Sequence, residues 1–318
     1  MRIGLMIEGQ EGLDWDDWTR LLRAAEEMDF HSVWRSDHFF SLSGDTTQAS
    51  LETWVSLTFA ARETKRVRLG TLACPMTFRH PSLLARMAAQ VDALSGGRLE
   101  LGIGAGWNAV EHKAFGVPFP PTKTRMDMLE EGIQVIRALL RDSPANFKGE
   151  IYQIEDAECY PRPVQSPLPI AVGGSGERRT LKIAARYADH WNAVGVGLAG
   201  YPHKREVLER HCADAGRDAT EIRRSLMCGF ILGRDEAGIE EHFRRVARII
   251  SLEQAPSDSS MQQLRDARGW LVGTPSEVVE QIKEWEALGV EEVMLQHLDH
   301  KDMGTLELIA KEIIPNVA

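Results

Sequence analysis

Residues Leu94 to Gly116 read LSGGRLELGIGAGWNAVEHKAFG, a strand delivered by a tight turn and ending in alternating glycines. Ser95-Gly96-Gly97 is turn chemistry, because glycine adopts positive φ without a Cβ clash. Leu99, Leu101 and Ile103 then alternate with Glu100, Gly102 and Gly104, the period of two that marks a strand. Gly102, Gly104 and Gly106 strip side chains from one side of that backbone, so something bulky approaches it. It is either a neighbouring helix or large side chain, or the flat face of a bound cofactor.

Working outward, the same strand-then-helix rhythm repeats along the chain. Strands are expected at Met1 to Ile7, Ser32 to Arg35, Val67 to Leu72, Leu99 onward, Leu168 to Val172, Trp191 to Val194, Leu226 to Leu232 and Val293 to Leu295. Between them, apolar residues at helical spacing predict helices over Asp14 to Met28, around Trp54, Leu57 and Ala61, from Pro81 to Leu94, from Met126 to Leu140 and from Glu177 to Ala188. Thr274-Pro275-Ser276-Glu277 is a capping box with proline at the first helical position. The proline-rich YPRPVQSPLP suits a linker or a surface excursion, and the β/α rhythm resumes after it. Residues 198 to 220 and 235 to 272 are less periodic and more charged, and read as helical or irregular insertions. Eight strands, each with its helix, predict one α/β domain over residues 1–318, a (β/α)8 TIM barrel with insertions in its C-terminal half. A doubly wound open sheet is the competing arrangement.

Composition narrows the function. With 47 acidic against 37 basic residues the net charge is −10, which argues against nucleic acid or an anionic membrane surface as partner. Four scattered cysteines without a CxxC pair suggest neither a disulfide framework nor a zinc knuckle, and the start of the chain reaches Glu8 too soon for a signal peptide. A cytoplasmic location is expected.

In a barrel, chemistry sits at the C-terminal ends of the strands. Those ends carry Glu8, Asp37 and His38, Leu72-Ala73-Cys74, Gly104 to Asn108, Gly173 to Gly176, Asn192, and Gln296 with His297. No His-x-His follows the first strand and no lysine ends any strand, so neither a metal-dependent hydrolase nor a Schiff-base aldolase is suggested, and no metal site is assigned. Scarce acid–base groups and abundant glycine point to a cofactor carrying the reaction. Gly173-Gly174-Ser175-Gly176, opening a helix, offers backbone N–H groups to a phosphate, with Arg178 or Arg179 nearby; a tight strand-to-helix passage explains it equally. A dinucleotide fingerprint at Gly102-x-Gly104-x-Gly106 fails for want of the third glycine at the right offset and of an acidic residue on a later strand. Asp37-His38 reads as an acid or ring-binding pair, or as a helix cap beside a half-buried histidine. Glu111 and His112 read as pocket lining or as a solvated helix face, and Trp107 as a pocket wall or as core.

Taken together, Ser36-Asp37-His38, the run RVRLGTLACPMTFRHPSLLARMAAQVDALSGGRLELGIGAGW from Arg66 to Trp107, the Gly173-Gly174 turn and GTPSEV from Gly273 to Val278 resemble the bacterial luciferase-like monooxygenase superfamily. The resemblance is nearest to the branch of oxidoreductases that use the deazaflavin coenzyme F420. It implies a barrel, often a homodimer, holding a flavin or deazaflavin at its C-terminal mouth. It further implies a role at the ring for Asp37, a substrate-side position for His38, a non-proline cis peptide at Leu72-Ala73 pressing on the ring, and phosphate binding by Gly173 and Gly174. Members of that branch that oxidise sugar phosphates carry a catalytic glutamate where this chain has Trp107, which counts against that substrate class.

The expected activity is therefore hydride transfer between F420 and a small organic substrate, with His38 or Glu111 carrying protons. The expected cofactor contacts are Asp37, Leu72, Ala73, Gly104, Gly106, Asn108, Gly173, Gly174, Ser175 and Gly176. An FMN-dependent monooxygenase fed by a partner reductase, and a non-catalytic flavin-binding barrel, are the alternatives.

Overall fold

The computed structural model describes residues 1–251 and 258–317. Its elements run β1 (Arg2–Ile7), α1 (Trp15–Glu27), β2 (Ser32–Arg35), α2 (Thr53–Glu63), β3 (Arg68–Thr71), β4 (Cys74–Pro75), α3 (Pro81–Ser95), β5 (Leu99–Gly104), α4 (Ala109–Ala114) and α5 (Thr122–Arg141). The chain continues with β6 (Ala145–Lys148), β7 (Gln153–Ala157), β8 (Ile170–Gly173), α6 (Thr180–Tyr187), β9 (His190–Val194), α7 (Tyr201–Asp214) and β10 (Arg223–Leu232). It closes with α8 (Glu236–Ile249), α9 (Asp258–Arg268), β11 (Leu271–Gly273), α10 (Pro275–Ala287), β12 (Glu292–Gln296), α11 (Met303–Glu312) and α12 (Ile314–Val317).

Strands β1, β2, β3, β5, β8, β9, β10 and β12 pair in parallel, and β12 pairs back onto β1, so the sheet closes into the expected barrel. The predicted turn at the end of α3 forms with Gly96 and Gly97 at φ +72° and +89°. The capping box forms too, with the Glu277 carboxylate accepting the Thr274 backbone N–H at 2.7 Å. The proline-rich stretch belongs to a surface excursion that follows the antiparallel hairpin β6–β7.

Two expectations are corrected. Residues 198–220 are not an insertion: α7 is the ordinary barrel helix between β9 and β10, and its charged sequence follows from burying only Tyr201, Val207, Leu208 and Cys212. The excess chain is α8 and α9 ahead of β11, with its own apolar cluster around Phe243, Val246 and Trp270; residues 252–257 of that predicted insertion lie outside the described residues. The helix predicted from Glu177 starts at Thr180, so the Gly173–Gly176 turn is separated from it by a short loop.

Two layers of side chains fill the barrel beneath its cavity. At the N-terminal end Glu100 accepts bonds from Arg68, Arg223 and His190, while His190 meets Ser225 at 2.6 Å and Trp34 donates to Ser32. Gly70 admits the Trp34 ring, whose atoms would lie 2.3 Å from a Cβ there. Above it Met6, Trp34, Leu72 and Met294 form an apolar plug, and the cavity opens over that plug at the C-terminal end.

Candidate functional site

The site begins where β3 breaks. The Leu72–Ala73 peptide is cis, and the chain re-enters the sheet as β4, paired with Ile103 and Gly104 of β5. This break resolves the two readings of the strand glycines. A Cβ on Gly102 would lie 1.8 Å from the Thr71 carbonyl oxygen, so Gly102 exists to let the bulge approach β5. Gly104 and Gly173 instead present bare backbone to the cavity, where the nearest atoms to an added Cβ are 3.8 and 3.6 Å away on the bulge. Gly106, at φ +76°, continues that wall.

The cavity holds about 530 Å³ and is walled by Leu72, Ala73, Pro75, Gly104, Gly106, Gly173, Gly174, Val194 and Met227. Its polar groups are His38, Glu8, Gln10, Glu11, Ser36, Ser43, Thr180, Asn192 and Gln296. His38 and Glu111, 73 residues apart, meet here: His38 Nδ1 and Glu111 Oε1 are 2.8 Å apart, and Glu111 Oε2 accepts the Phe39 N–H at 3.3 Å. The His38 side chain is 14% exposed and that of Glu111 1%. Burial alone depresses the imidazole, but the hydrogen bond to Glu111 and its charge, backed by Glu8 and Asp37, outweigh burial and raise its pKa. With Glu111 accepting the hydrogen bond from Nδ1–H, Nε2 is the nitrogen left to exchange a proton with a ligand.

Other expected site residues sit one layer back. The Asp37 carboxylate is buried and held by Arg79 through both guanidinium nitrogens, at 2.5 and 3.2 Å, and does not line the cavity. Asn108 caps α4, accepting the Val110 N–H at 2.9 Å. Ser175 donates to the Val194 carbonyl, Arg179 is bound to Asp127 and Glu130, and Gly176 is absent from the lining. His112, between Thr77 Oγ1 and the Asn108 carbonyl, is part of the support. Trp107 is 67% exposed and stands edge-on to His38 at 5.8 Å, a wall of the mouth and not core.

Sequence reasoning placed Glu8, Asn192 and Gln296 at strand ends but assigned them no role. Glu8 accepts hydrogen bonds from Gln10 at 2.9 Å and Gln296 at 2.6 Å, which fixes a carboxylate on the cavity floor. The strand-end position was the only available signal.

The family model described as luciferase-like monooxygenase matches residues 1–292. F420-dependent glucose-6-phosphate dehydrogenase of Amycolatopsis mediterranei (strain U-32) is 31% identical, over 92% of this chain and 92% of that protein. The enzyme of the same name from Kineococcus radiotolerans is 32% identical, over 92% of this chain and 90% of that protein. Among solved structures, an F420-dependent secondary alcohol dehydrogenase in complex with an F420-acetone adduct superposes with a TM-score of 0.84 at 23% identity, covering 100% of this chain and 99% of that one, a likeness of fold. Among the described residues no helix is long and apolar enough to cross a membrane. The chain belongs to the luciferase-like monooxygenase family of oxidoreductases.

Proposed function

We propose that this chain binds a deazaflavin of the coenzyme F420 type in the barrel mouth and moves a hydride between it and a small organic substrate. We propose further that it works as a homodimer in the cytoplasm and draws on a separate reductase to renew its cofactor. The observation that carries the reading is the buried His38–Glu111 pair, with His38 lining a cavity that the adjacent strand-end glycines Gly104 and Gly173 line with bare backbone. Bare backbone at Gly104 and Gly173, beside the Leu72–Ala73 bulge in the cavity wall, suits the approach of a flat ring from the cavity side. Leu72, Ala73, Gly104 and Gly106 would flank that ring, and Gly173, Gly174 and Thr180 would meet its phosphate-bearing side. Asp37, Asn108, Ser175 and Gly176 would support these contacts from behind. F420-dependent relatives at 31% and 32% identity favour the deazaflavin over FMN.

When bound, such a cofactor exchanges a hydride with a substrate carbon. The chain's own part is the accompanying proton. Oxidation of an alcohol removes a hydride from carbon and a proton from oxygen; His38 Nε2 takes that proton and Glu111 stabilises the resulting imidazolium. Reduction of a carbonyl runs both transfers backwards.

The test is a titration of purified protein with F420 and with FMN, followed by fluorescence, together with turnover by His38→Ala. F420 is expected to bind more tightly, and His38→Ala to keep that affinity while losing turnover. Tighter FMN binding with oxygen uptake on reduced FMN would replace the cofactor assignment, and unimpaired turnover in His38→Ala would remove the proton role.

A further inference from the structure

We propose, resting on the hydride-transfer reading above, that the substrate subsite selects uncharged molecules with an apolar body and a hydroxyl or carbonyl head, and rejects phosphorylated ones. The relatives at 31% and 32% identity are named for a sugar phosphate, so this chain would have diverged from them in substrate charge.

Charge is the first argument. Glu8 and Glu11 line the cavity, and no lysine or arginine does so among the described residues. Glu8 is clamped by the carboxamides of Gln10 and Gln296, while the buried Arg35 guanidinium, outside the cavity lining, interacts with its charge. Three arginines near the mouth are held by other groups. Arg79 binds Asp37 and Glu52, Arg125 binds the Gly106 and Pro120 carbonyls, and Arg179 binds Asp127 and Glu130. Arg35 is buried and donates to the Leu51 carbonyl. A phosphate drawn toward His38 would therefore meet the Glu8 and Glu11 carboxylates, with His38, already paired to Glu111, the one basic side chain in the lining among the described residues. Two unit charges about 6 Å apart at an effective dielectric of about 20 change a binding constant about a hundredfold.

The second argument is the rim. Val110, on the helix that follows Trp107, is 67% exposed, as is Trp107 itself, which lines the mouth. Inside it, Leu42, Ile250 and Leu298 continue the apolar surface. A substrate placing its polar head at His38 would lay its body along this track.

Cyclohexanol and cyclohexyl phosphate share one apolar body and differ in charge, so they isolate the claim. Their dissociation constants are to be measured by ligand-observed NMR on the full chain, with and without F420. The alcohol is expected to bind at least tenfold more tightly, Glu8→Gln to narrow that gap by about tenfold or more, and Trp107→Ala to weaken both ligands while leaving the gap in place. Equal or tighter binding of the phosphate, an unchanged gap in Glu8→Gln, or no binding of either ligand would overturn the proposal. Failure of F420 itself to bind appears in a separate titration and counts against the cofactor assignment alone, because the pair is also compared without it.

Discussion

Replacing Glu111 by glutamine keeps the shape of the His38 partner and removes its charge, so it separates positioning from electrostatics. The N···O distance of 2.8 Å puts the charge centres of imidazolium and carboxylate about 4 Å apart. At an effective dielectric of about 20 their attraction is about 4 kcal/mol, a ceiling on what the charge contributes. With side chains 14% and 1% exposed, solvent screens little of it, but the glutamine retains a neutral hydrogen bond and the surroundings relax. The His38 pKa is therefore expected to fall. In the native protein the pKa of His38 stands above the usual 6.5 because Glu111 outweighs burial; in Glu111→Gln burial prevails and it drops below that value. The assay is an NMR titration of the histidine ring protons in cofactor-free protein, with His38 identified by its absence in His38→Ala. A raised folded pKa stabilises fully below the unfolded value, and the contribution fades as pH climbs through the folded value. Glu111→Gln should thus lower the melting temperature more at about pH 5.5 than at about pH 8.5. Alcohol oxidation at neutral pH is expected to fall about 100-fold or more. An unchanged His38 titration would refute the reasoning, since no other partner is close enough to substitute for that charge among the hydrogen bonds of the described residues.

The two kinds of strand glycine predict opposite phenotypes. Gly102→Ala forces a methyl to within 1.8 Å of the Thr71 carbonyl oxygen and should cost more than about 3 kcal/mol in denaturant unfolding, whereas Gly104→Ala meets nothing nearer than 3.8 Å and should fold normally but bind the cofactor about tenfold more weakly. Glu100 is held well below the usual carboxylate range: its bonds to His190 and the charges of Arg223, His190 and Arg68 outweigh burial. Its stabilising contribution is present above the unfolded value and lost on acidification through the folded one, so Glu100→Gln, which strands two arginines, should cost about 3–5 kcal/mol at neutral pH and less in acid. All four cysteines are buried, and burial pushes the Cys228 thiol up to about 12 and Cys74 well above its ordinary range. A thiol-specific colorimetric reagent at about pH 8 should therefore react with none of them until the protein is denatured.

The barrel was legible because each of its strands announces itself locally. Alternation in Leu99 to Ile103, the Ser95-Gly96-Gly97 turn and the Thr274–Glu277 capping box need only a few neighbouring residues to be read, and all three formed where expected. Helix α7 was misread for the same reason: four buried residues in fourteen leave a pattern too thin for local detection. The site is a different kind of object, made of pairs. Asp37 and His38 are adjacent in sequence yet take different distant partners, Arg79 forty-two residues on and Glu111 seventy-three residues on. Glu111 lies on a helix of six residues flanked by His112 and Lys113, where nothing local distinguishes a buried base from a solvated face. Gly102 and Gly104 carry the same signal in sequence, and only the cis bulge of the neighbouring strand separates one packed against it from one that lines the cavity. The division is physical. Helix and strand propensities act over a turn or a pleat and can be read from periodicity, whereas a buried charge is tolerated only where the fold brings its partner. In a barrel that partner comes from another strand end, so the closure of the sheet, and not any motif within it, determines that His38 has a carboxylate and that Asp37 has none to spare for the cavity.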